Sequence, residues 1–183
     1  MKLFKKMAAA VLAAALALTM VGCGGGNSYA MQNELLKITI DNLTDVNKTV
    51  THTKKADEMA AALLAAADTA AAQMENKGVD AKDLLRDPTV IRAAGIDPAT
   101  TPCKFNPINV DSQIKSSGVM GEFLKMQWMA DSAGLYRFVR LGAFNPGKND
   151  KIEIGAATHK IGDKSYTLIL ITYTPTTTPA NPL

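Results

Sequence analysis

Residues 166–173 read Tyr166-Thr167-Leu168-Ile169-Leu170-Ile171-Thr172-Tyr173. The run is short, rich in β-branched and aromatic side chains, and apolar at successive positions, which predicts a strand buried on both faces in the middle of a sheet. Just upstream, Ile152-Glu153-Ile154-Gly155-Ala156 alternates as a strand does, and Gly162-Asp163-Lys164 supplies turn chemistry between the two. Together they predict an antiparallel hairpin. Tyr136 to Leu141 predicts one further strand.

The earlier part of the chain follows a different period. Met31, Leu35, Ile38, Leu43 and Val46 fall in one stripe at 3.6 residues per turn, with Ile40 outside it. Ten of the 17 residues from Ala56 to Ala72 are alanine. Met59, Leu63, Ala66, Ala70 and Met74 share one face of that helix, and Asp57, Glu58, Asp68 and Glu75 the other. Side chains this small favour close helix packing. Thr53 is placed to cap its start, Asp57 and Glu58 suit its positive end, and Gly78 stops it. Asp87-Pro88 reads as N-cap and first residue of a short helix that Gly95 and Ile96 close. Residues 97–117 carry Pro98, Pro102 and Pro107 with little periodicity, which predicts a long loop. Val119, Met120, Phe123, Leu124, Gln127 and Ala130 predict another helix, with Trp128 on its flank. Helices followed by paired strands give an α+β class: a single domain with helices packed on a small antiparallel sheet.

The N-terminus reads as an address. Lys2, Lys5 and Lys6 precede an apolar run from Met7 to Val21, shorter than the roughly 20 residues that span a bilayer. The run ends Leu18-Thr19-Met20-Val21-Gly22-Cys23 and resembles a bacterial lipoprotein signal, with Met20 where leucine is usual. The resemblance implies cleavage before Cys23 and acyl chains on it, which anchor the protein to the membrane on its extracytoplasmic face. The expected organisation is a signal peptide at 1–22, a Gly-rich tether at 23–29, a globular domain at 30–173 and an extended Pro/Thr-rich tail at 174–183. Removing residues 1–22 leaves 161 of the 183 residues, with 17 basic and 17 acidic side chains. A neutral chain argues against nucleic acid as a partner.

Chemistry-bearing motifs are sparse. His52 and His159 lie in unrelated segments without metal-type spacing, and no metal or other cofactor is implied. Cys103 is left unpaired once Cys23 is acylated, and no nearby histidine activates it. There is no phosphate-cradling glycine loop, no Gly-x-Ser-x-Gly elbow and no Ser-x-x-Lys pair.

Several features in order resemble the CAP superfamily in its bacterial SCP-like branch. They are the Ala-rich helix at Ala56 to Met74, Arg92-Ala93-Ala94-Gly95, the segment from Trp128 to Arg137, Ile152 to Ala156, and Tyr166 to Tyr173. The resemblance implies an α-β-α sandwich with a cleft lined by Glu122, Trp128, Ser132, Tyr136 and Arg137. The family histidine falls where Leu135 or Tyr136 stands, and Gly121-Glu122 lies too close to Trp128 to match the family spacing. The family's metal-binding set is therefore not reproduced. The domain is expected to be degenerate and non-catalytic, binding a surface protein, a lipid or a cell-wall ligand. The alternatives are a cell-wall or peptide hydrolase using Glu122, His159 or Cys103, and a solute-binding lipoprotein, for which the mature chain is short.

Overall fold

A computed structural model of the chain describes residues 26–45, 49–73, 78–111, 128, 130, 135, 137–147 and 150–174. Their elements are α1 (Gly26–Asp45), β1 (Val50–His52), α2 (Lys54–Ala71), α3 (Ala81–Leu84), α4 (Pro88–Ala93), β2 (Cys103–Asn109), β3 (Val139–Leu141), β4 (Lys151–Ile161) and β5 (Lys164–Thr174). The sheet runs β1-β4-β5-β2-β3. β5 pairs antiparallel with β4 on one side and with β2 on the other, as its two apolar faces predict. The fold is α+β.

β5 divides the core in two. Leu168 and Leu170 face one side with Cys103 and Phe105, beneath Leu63, Leu64, Leu84, Leu85 and Ile91 of α2, α3, α4 and the turns between them. Ile169 and Ile171 face the other side with Ile152 and Ile154, beneath Leu35, Leu36 and Leu43 of α1. Helices therefore cover both faces, and a strand at the centre sees no water on either one.

Local signals set the helix ends. The Thr53 side chain accepts the Ala56 N–H, and Asp57 occupies the first turn of α2. Asp87 accepts the Thr89 N–H ahead of Pro88, so α4 starts where its missing donor is harmless. The same helix closes through two reversed bonds, Gly95 N–H to Arg92 O and Ile96 N–H to Ile91 O, and Ile96 is buried against the core.

The described elements depart from the sequence reading in four places. α2 ends at Ala71, with Ala72 as its C-cap, short of Met74 and of the stop expected at Gly78. Residues 103–109, inside the stretch expected as loop, form β2. Cys103, Phe105 and Pro107 point into the core in strict alternation. Among the described residues β3 pairs only Cys103 to Phe105, so β2 has no strand partner on that side at Pro107, where a missing N–H costs least. The sheet is also not wholly antiparallel: β1 adds a parallel strand against Ile152 to Ile154, three residues long and too short to carry a period. Finally, α1 begins at Gly26, inside the stretch read as tether. The signal segment, the 174–183 tail beyond Thr174, and all of the 119–130 helix except Trp128 and Ala130 lie outside the described residues.

α2 and β4 meet at unusually short range. A Cβ on Gly155 would overlap the backbone of Ala56 and Asp57, so glycine is required there by space. The Asp57 carboxylate accepts the Ala156 N–H at 2.8 Å, and three turns on Asp68 accepts the Gly162 N–H at 3.0 Å. Both acids lie on the face expected to be merely solvated. Gly155→Ala should destabilise the domain by more than about 2 kcal/mol in urea unfolding, because backbone must move. Gly162→Ala, strained only by its φ of 62° with open space around it, should cost about 1 kcal/mol.

Candidate ligand cleft

Where β3 stops short of β2, the sheet corner opens into a cavity of about 450 Å³. Its charged lining comes from three places in sequence: Lys82 from α3, Arg86 from the turn after it, and Arg137 ahead of β3. Asn106 adds an amide, and Pro107, Phe138 and Val139 supply the apolar part of the lining.

Local structure accounts for the basic character. Lys82 and Arg86 are four residues apart, a spacing that places side chains on one side of a helical turn. Two of the acids beside them are turned onto backbone, Asp80 capping α3 through the Lys82 N–H at 2.7 Å and Asp87 capping α4, while Asp83 between them is exposed and outside the cavity lining. Among the described residues neither Lys82 nor Arg86 has an ion-pair partner, and both are exposed. Further along the same strand pair Lys104 stands directly opposite Arg140. Burial first, and then the Arg140 charge, lower the Lys104 pKa, and its ammonium lies 5.7 Å from the Phe144 ring centroid.

The wall is braced from behind. Phe138 packs 5.6 Å from Trp128, ring centroid to ring centroid. The Trp128 indole N–H donates to Thr39 Oγ1 at 3.0 Å and to Leu35 O at 3.2 Å, fastening the wall to α1. Leu135 holds φ at 52°, a left-handed conformation that costs a leucine roughly 1 kcal/mol, and its carbonyl accepts the Phe138 N–H as the chain turns toward β3. Thr39→Val should lower stability by about 1–2 kcal/mol, measured by chemical unfolding, since it strips the buried indole of its better acceptor.

Of the residues expected to line a cleft, Arg137 is in this cavity and Trp128 is buried behind its wall. Glu122, Ser132, Tyr136 and the lipidation residue Cys23 lie outside the described residues. Lys82, Arg86 and Asn106 were not anticipated. Their only sequence signal was the four-residue basic spacing between two capped helices, and the strand opposite lay in a stretch expected to be loop.

The remaining reactive groups are elsewhere and engaged. His52 Nε2 donates to the Asp57 carboxylate at 2.9 Å, and His159 Nε2 stands 3.5 Å from Asp68. Both histidines sit at the β4 edge, across the sheet from the cavity. Among the described residues no group of three or more His, Cys, Asp and Glu side chains gathers as metal ligands, and no helix is long and apolar enough to cross a membrane.

Cys103 is fully buried, and desolvation pushes its thiol pKa up to about 12. A thiol-specific reagent should therefore modify Cys103 at neutral pH only as fast as the domain opens. The linkage has a definite sign. The unfolded thiol ionises near pH 9 and the folded one near 12, so this residue's contribution is intact below pH 9 and lost as pH rises towards 12. Across that window, stability should fall more steeply in the wild type than in Cys103→Ala, as read by urea midpoints. Comparison of the chain with protein-family models, with curated proteins and with solved structures finds no match.

Proposed function

We propose that the chain is an extracytoplasmic lipoprotein, anchored through acyl chains on Cys23, whose α+β domain binds a ligand without turning it over. The observation that carries the binding reading is the cavity at the β2–β3 corner, where unpaired basic side chains from α3 and the following turn meet Arg137 over an apolar floor. Such a mixture of a few converging polar groups and apolar wall suits recognition.

The non-catalytic reading is supported by where the nucleophile and bases sit. Cys103 is a buried thiol, and both histidines are held by acids of α2 at the far edge of the sheet. Acid–base catalysis needs such groups within hydrogen-bond reach of a substrate in the cleft. Helices on both faces of the sheet are compatible with a degenerate CAP-like domain, which we keep as the proposed family. The anchor rests on the order of charge, apolar run, small residue and cysteine at residues 2–23.

Two assays test this reading. Wild type should partition into the detergent phase, and Cys23→Ala should move to the aqueous phase. Full-length protein should leave peptide and peptidoglycan substrates intact. A hydrolytic activity abolished by substituting Glu122, His159 or Cys103 alone would replace binding with catalysis.

A further inference from the structure

We infer that the cavity at the β2–β3 corner is a site for a phosphoryl group, with Lys82, Arg86 and Arg137 as the anion-binding side chains. The inference rests on the proposed binding role and adds the class of ligand.

Charge count favours phosphate over a lone carboxylate. Three cationic side chains line one cavity of about 450 Å³, and no acidic side chain joins them in its described lining. A phosphate ester carries about −1.5 to −2 at neutral pH and offers several acceptor oxygens, whereas a carboxylate carries −1. Guanidinium groups match either anion in two-pronged geometry, so the number of charges decides. The concentration of charge is local, because the chain after residue 22 is neutral. It also continues along the strand pair, where Lys104 and Arg140 face each other. An anion at this corner would relieve repulsion among cations. The apolar floor of Pro107, Phe138 and Val139 leaves room for an uncharged body attached to the phosphate.

A phosphoryl group could be offered by a soluble molecule or by lipid headgroups. The cavity lies at the β2–β3 end of the sheet, between α3 on one face and Phe138, which packs with residues of α1, on the other. Both sources present the same chemistry to Lys82, Arg86 and Arg137, and competition separates them.

The test is calorimetric titration of full-length, lipidated protein in neutral detergent with inorganic pyrophosphate. Saturable binding is expected, weakening as salt is added. Lys82→Ala and Arg86→Ala should each weaken it about tenfold, and Lys54→Ala, an exposed residue of α2, should leave it unchanged. All three residues are exposed, and matching thermal melts would establish that each variant is folded. Acetate, a lone carboxylate, binding as tightly as pyrophosphate would overturn the phosphoryl preference. Competition by micelles doped with phosphatidylglycerol would assign the phosphoryl group to a lipid headgroup, and binding undisturbed by them would assign it to a soluble ligand. Absence of saturation, or saturation that survives both cleft substitutions as an adventitious ion only, would overturn the site. A failed titration leaves the partition and turnover assays to judge the binding reading by themselves. Turnover of a peptide or glycan would fell that reading without altering the pyrophosphate curve.

Discussion

The rest of the structure depends on how closely α2 lies against β4. Gly155 brings the strand within backbone contact of Ala56 and Asp57, and alanine along the helix keeps the two elements close. At that separation Asp57 reaches a strand amide that would otherwise face outward. A burial-only account would treat α2 as one apolar stripe. The acids on its flank instead make it a clasp, joining nonpolar contact beneath to hydrogen bonds at the side.

This clasp also explains how the sheet avoids an exposed edge on that side. Unpaired strand groups invite other chains to pair with them. Along β4, Thr49 O accepts from Ile152, Ile154 O accepts from Thr53, and Gln32 and Asp57 take the two backbone groups of Ala156. Asp68 takes the Gly162 N–H at the hairpin end. Both histidines are drawn into this seam as partners of those acids. Among the described residues the two sides of the sheet thus differ in kind: the β4 side is closed by the chain's own polar groups, and the β2 side is open where β3 ends, with basic side chains around the opening.

What the sequence made legible was local. The apolar run at 166–173, the turn at Gly162-Asp163, the Thr53 cap and the Asp87-Pro88 to Gly95-Ile96 helix all carry their causes within a few residues. β2 was hidden because Pro107, with Pro98 and Pro102 before it, reads as loop and because its main partner lies more than 50 residues on, at Tyr166 to Thr172. Asp57 and Asp68 read as solvated because their amide partners are 99 and 94 residues away. Arg137 was reached through a motif, whereas Lys82 and Arg86 acquire meaning only when the sheet corner brings them beside it. Trp128 was expected in the cleft; its N–H instead found acceptors in α1, as a buried indole requires. The helix expected at 119–130, a stretch that includes Glu122, lies outside the described residues except at Trp128 and Ala130.

The clasp is most directly tested by amide hydrogen exchange at Ala156 in the wild type and in Asp57→Asn. Its N–H has a side-chain acceptor where an edge strand would have water. If the clasp holds α2 to the sheet, Ala156 should exchange as slowly as Leu170 of the central strand, through global unfolding alone, and Asp57→Asn should speed it selectively. Fast exchange at Ala156 in the wild type, or no change on Asp57→Asn, would contradict the account.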